Sequence, residues 1–72
     1  MSHTIIQQGT RVYIDDVTCK RDTLKAILVD IDGEDHWIPV SQLDDETQVS
    51  AAGDCGLLVI STWIAKQRGL ID

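Results

Sequence analysis

Ala26-Ile27-Leu28-Val29-Asp30-Ile31-Asp32-Gly33-Glu34-Asp35-His36-Trp37-Ile38-Pro39 is the stretch on which the reading of this chain turns. Two runs rich in aliphatic and β-branched residues flank Asp32-Gly33, and such runs favour extended backbone. Asp-Gly tolerates positive φ, so it closes a tight hairpin between them. A two-residue loop at Asp32-Gly33 sets Asp30 opposite Asp35, a like-charge pair that costs stability. A loop centred on Gly33-Glu34, or a longer one, sets Asp30 against Trp37 instead. Either register leaves Ile27, Val29 and Ile31 on one face with His36, Ile38 and Val40, which is the expected core. Ala26, Leu28, Trp37 and Pro39 take the opposite face.

Toward the amino end, Thr10 to Thr18 alternates polar and apolar residues until Asp15-Asp16. There the phase slips by one, which predicts a bulge or bend in a strand. Lys20-Arg21-Asp22-Thr23 reads as a polar loop, and residues 1–9 as a segment open to fraying. Toward the carboxyl end, Pro39 limits the hairpin's second strand because it cannot donate to a ladder. Ser41 to Glu46 reads as a short helical turn or loop, Thr47-Gln48-Val49 as a weak strand, and Gly53-Asp54-Cys55-Gly56 as a turn. Leu57 to Ile60 is a short buried strand. Ser61 or Thr62 then caps a short helix through Arg68, with Gly69 as terminator. Trp63 is expected to anchor that helix on the sheet. Four or five short strands and one terminal helix predict a mainly β protein: a small bent sheet or partly open barrel of SH3-like or OB-like type. Residues 1–72 form a single domain on this reading.

A chain of 72 residues supports one small core, so association with itself or a partner adds to a slim stability. Its hydrophobic fraction of 43% is that of a folding globule, not a disordered segment. The net charge of −6 argues against phosphate backbones and anionic membranes as default partners. Lys and Arg are absent from Ala26 through Ala65, where Asp30, Asp32, Glu34, Asp35, Asp44, Asp45, Glu46 and Asp54 fall. Arg11, Lys20, Arg21, Lys25, Lys66 and Arg68 sit toward the two ends, so one strongly negative surface is expected. Cys19 and Cys55, with neither a basic leader nor an apolar membrane-length run beside them, read as thiols in a reducing bacterial cytoplasm.

Catalysis by a nucleophile needs a base and an orienting group beside it. Only His36 lies within the folded part, and no spacing ties it to Cys19 or Cys55. Asp30-Ile31-Asp32-Gly33-Glu34-Asp35 clusters oxygen ligands, but successive hairpin residues diverge to opposite faces and read as a solvated turn. Cys19, His36 and Cys55 carry no C-x-x-C or H-x-x-H element for zinc. Neither a catalytic residue, a metal nor a cofactor is therefore assigned.

The segments Ala26-Ile27-Leu28-Val29, Gly33-Glu34, Trp37-Ile38-Pro39, Ser41-Gln42-Leu43 and Trp63-Ile64-Ala65 with Gly69-Leu70 resemble small uncharacterised phage and prophage proteins carrying a Trp-Ile-Pro-x-Ser-Gln segment. That resemblance implies a bacterial or viral cytoplasmic setting. Val29 to Gly33 followed by Ile38 to Leu43 is also similar to the middle of an S1-type OB domain, which implies binding of single-stranded nucleic acid. The matching segment holds one aromatic residue, Trp37, and no base.

Tryptophan is the residue most enriched at binding hot spots. Trp37, with Leu28, Pro39, Asp30, Asp32, Glu34 and Asp35, forms the candidate partner-binding face of a non-enzymatic interaction module. The expected partner is a basic or nucleic-acid-binding protein, steered by charge. An alternative places a nucleotide or similar small ligand on Arg11, Lys20, Arg21 and Lys25. A homodimer is a further expectation from the short chain and the two-sided hairpin.

Overall fold

A computed structural model describes residues 4–71. The hairpin forms where its turn chemistry places it. Strand β3 (Ala26–Ile31) and strand β4 (Glu34–Pro39) pair antiparallel about Asp32-Gly33. Asp32 and Gly33 have φ of +54° and +85°, the double positive signature of a type I′ turn. The tight register follows, and Asp30 faces Asp35. Each carboxylate has its own donor. The Gly33 amide donates to Asp30 Oδ1 at 3.0 Å, and Lys20 Nζ lies 3.1 Å from Asp35 Oδ2. Those donors offset the repulsion that counts against this register.

Strand β1 (Ile5–Gln8) and strand β2 (Arg11–Asp22) join through Gly9-Thr10. Gly9 takes φ +61°, the first-position demand of a type II′ turn. Part of the segment expected to fray is thus a paired strand, because the turn holds Ile5 to Gln8 against Ile14 to Arg11. Residues 1–3 lie outside the described part of the chain.

β2 organises the molecule. Its first half pairs β1 and its second half pairs β3 along the same edge, while strand β5 (Cys55–Ser61) runs antiparallel along the other. The five strands make one antiparallel sheet that does not close on itself. The phase slip read at Asp15-Asp16 is a register shift between Ile14 and Val17, with Asp16 at φ +54°. A second irregularity lies between Cys19 and Arg21. Lys20, Arg21 and Asp22 are strand, not loop. Their side chains are exposed, but Arg21 and Asp22 find backbone partners in Leu28 and Ile27. Pairing decides the conformation there, not hydropathy.

The inner face buries Val12, Ile14, Val17, Ile27, Val29 and Ile38 completely. Val40, expected on that face, is 40% exposed, because Pro39 ends the strand and a 3₁₀ turn (Val40–Gln42) follows. Thr47-Gln48-Val49 is not a strand. It covers the outer edge of β5 with mixed contacts: the Gln48 amide donates to the Leu57 carbonyl at 2.8 Å, and the Val59 amide donates to Thr47 Oγ1 at 3.1 Å. Val49 enters the core.

Helix α1 (Thr62–Gln67) starts and stops on the expected residues. Ser61 Oγ accepts from the Ile64 amide at 3.3 Å. At the other end, Gly69 at φ +72° supports two bonds, Leu70 amide to Ala65 carbonyl and Gly69 amide to Lys66 carbonyl. That is a Schellman closure. Ile64 and Ala65 dock the helix, whereas Trp63 is 59% exposed. In a helix this short the buried stripe is one turn wide, and Trp63 lies about 100° round from Ile64.

Candidate functional site

The outer face of the β3–β4 hairpin brings most of the candidate residues together. Cross-strand partners share a face, so Ala26 with Pro39, Leu28 with Trp37, and Asp30 with Asp35 form three successive rungs. In a two-residue hairpin these rungs fall at the non-hydrogen-bonded positions, where side chains approach most closely. Leu28 and Pro39 are half-buried and Trp37 is 44% exposed. The indole therefore stands on an apolar base with nearly half its surface in water. β2 extends the face, with Arg21 opposite Leu28 and Thr18 opposite Asp30.

Asp32 and Glu34 sit at the tip and do not join the rungs. Glu34 shares the parity of His36, and its Oε1 lies 4.0 Å from His36 Nε2. That separation is too long for a hydrogen bond, and His36 Nε2 is buried with no hydrogen-bond partner among the described residues.

One long-range contact fixes the tryptophan backbone. Arg68 Nε, at the end of α1, donates to the Trp37 carbonyl at 2.8 Å. The carbonyl points away from β3, so the bond occupies the open edge of β4 directly. Nothing local in the chain signals this pairing, because the two residues are 31 apart.

Two bases reach into the acidic half of the chain and pair three of its carboxylates. β2 carries Arg11 and Lys20 into the acidic half of the chain. Lys20 reaches across β3 to Asp35, while Arg11 Nε meets Asp44 Oδ2 at 2.9 Å and its Nη1 meets Glu46 Oε2 at 3.1 Å. Tyr13, Asp44 and Glu46, in that order, hold the Arg11 pKa above its usual value. The Tyr13 hydroxyl donates to the same Glu46 oxygen at 2.9 Å. Asp54 is used locally, accepting from the amides of Ser50 and Ala51. Separation of charge along the sequence is reduced because β2, which carries three of the six bases, lies at the centre of the sheet.

The alternative cationic group is not assembled either. Arg11 opens β2, whereas Lys20 and Arg21 lie near its far end and Lys25 follows beyond it. Arg11 does border an open cleft of about 300 Å³, lined also by Thr10, Ser41, Gln42, Asp44 and Ser61. Its guanidinium is already bound to two carboxylates there.

The thiols and His36 stay apart. Cys19 and His36 both oppose Val29, on either side of it, so their backbones are two strand spacings or roughly 10 Å apart. Cys55 opposes Thr18 and takes the outer face. Burial pushes the Cys19 thiol up, against the pull of the Arg21 backbone. Among the described residues, no three of His, Cys, Asp and Glu converge to hold a metal ion, and no helix is long and apolar enough to cross a membrane. Set against family models, curated proteins and solved structures, the chain matches none of them.

Proposed function

We propose that this chain is a non-enzymatic interaction module, an accessory protein of the phage or prophage kind, that binds a protein partner on the outer face of its β3–β4 hairpin. The observation that carries the reading is Trp37, 44% exposed on a base of Leu28 and Pro39. A large aromatic side chain costs little conformational entropy to immobilise, and here the backbone beneath it is already held by a ladder, a proline and Arg68. Asp30, Asp32, Glu34 and Asp35 gather at the turn end of this face, against Lys20, Arg21 and Arg68 around the rest of it. That division favours a partner that brings basic groups to the turn end.

The test compares capture from a bacterial extract by the native chain and by Trp37→Ala, at low and high salt. Loss of a hot-spot indole costs about 2 kcal/mol or more in binding, roughly thirtyfold in affinity. The same proteins retained equally by both forms would overturn the reading. The cleft beside Arg11 supports a second reading, a small polar ligand held against Gln42, Ser41 and Thr10. Thermal stabilisation by a nucleotide, abolished in Arg11→Ala, would favour it over the first.

A further inference from the structure

We propose that β1 is the contact through which two copies of this chain join edge to edge, as an isologous dimer with Ile6 opposite Ile6 of the second copy. The inference rests on a different strand from the tryptophan face.

The hydrogen-bond parity of β1 is fixed by its turn. A two-residue hairpin makes Gln8 and Arg11 a bonded pair, and the alternation then assigns Ile6 with Tyr13 to the same class. The Asp15 amide, donating to the Thr4 carbonyl at 3.2 Å, continues it. The amides and carbonyls of Ile5 and Gln7 therefore point away from β2, and they have no backbone partner among the described residues.

Unpaired edges recruit strands unless they are blunted by charge, proline, a bulge or a covering segment. The other edges carry such guards. β4 presents Pro39, which has no amide hydrogen, Asp35 bound to Lys20, and a Trp37 carbonyl taken by Arg68. The outer edge of β5 is covered by residues 43–49. β1 has none of these: Ile-Ile-Gln-Gln is uncharged and unbulged, with Ile5 40% and Ile6 48% exposed.

Charge and symmetry select a second copy as the occupant. Two chains of net charge −6 repel over most of their surfaces. From Thr4 through Thr10 there is no ionisable side chain, so approach along this edge brings no carboxylates face to face. A head-to-tail contact of β1 on β4 would propagate into filaments, but the guarded β4 edge refuses it. The two-fold arrangement remains. Centred on Ile6, it lets Ile5 of each copy exchange both backbone bonds with Gln7 of the other. The two Ile6 side chains then meet at a close, non-bonded position on the outer face, each beside its own Tyr13.

The mass of the native chain, followed by sedimentation equilibrium from micromolar to millimolar concentration, is expected to climb toward twice the 8.0 kDa of one chain. Gln7→Pro removes only an outward amide, so it should keep the circular dichroism and Tm of the native monomer and stay at one chain mass throughout. Ile6→Cys in a Cys55→Ser background should oxidise to a covalent dimer, since facing Cα atoms at such a position lie about 4.5 Å apart. Gln8→Cys in that background should not, its two Cα atoms being roughly 13 Å apart across the same axis. A native mass that never leaves one chain, a dimer that survives Gln7→Pro, or equal cross-linking at the two positions would each overturn the proposal.

Discussion

Asp30 and Asp35 face each other across a tight turn, and the chain tolerates them because each has a donor of its own, the Gly33 amide within the turn and Lys20 from β2. Lys20 is the less secure of the two donors, since that ion pair is largely exposed. Lys20→Ala is therefore expected to cost under about 1 kcal/mol, and Asp35→Asn in the Lys20→Ala background should restore most of the loss. Chemical denaturation of the four forms in a double-mutant cycle checks this. The thiols divide as sharply. Cys19 is buried with its pKa raised by that burial, whereas Cys55 is exposed. A thiol reagent should modify Cys55 in the native protein and Cys19 only on unfolding. The sign of the linkage follows from the raised pKa. The folded state holds the Cys19 proton more tightly, so this group's contribution is intact below the usual thiol range and is lost as pH rises through and above it. Cys19→Val should flatten the alkaline decline of urea stability relative to the native chain.

At the scale of elements, the ends of α1 and the bend in β2 are where single changes act. Ser61→Ala removes the N-cap acceptor and should cost about 1 kcal/mol. Asp16→Val forces a β-branched residue into φ +54° and should cost roughly 1–2 kcal/mol, with Asp16→Asn better tolerated. Thermal unfolding of each variant measures both. These same features were readable in advance, because their causes are local. Asp32-Gly33 dictates its turn, Ser61 and Gly69 bracket their helix, and the slip at Asp15-Asp16 breaks a period of two. The polar end of β2 was hidden for the opposite reason. Nothing about Lys20-Arg21-Asp22 favours a strand until β3 folds back against it. Trp63 misled because its size pointed inward, while the docking of a six-residue helix is set by Ile64 and Ala65.

Across the whole molecule, the core is one thin apolar layer. Ile27 and Ile38 face each other within it, both fully buried. Truncating Ile27 to Ala should cost about 2–5 kcal/mol, comparable to the roughly 3–5 kcal/mol that a core of this size supplies at most. Circular dichroism of Ile27→Ala should therefore show a largely unfolded chain at 25 °C. The candidate binding face is legible from alternation alone as far as Leu28, Trp37 and Pro39, since parity needs only the turn. Its charge was not legible, because which base meets which acid depends on strand order. The strand order has a further consequence. β2 belongs to both halves of the sheet, so neither hairpin keeps its neighbour when the other melts. Amide protons of Val12 and Val29, one in each half, should exchange with solvent through a single concerted opening of equal free energy.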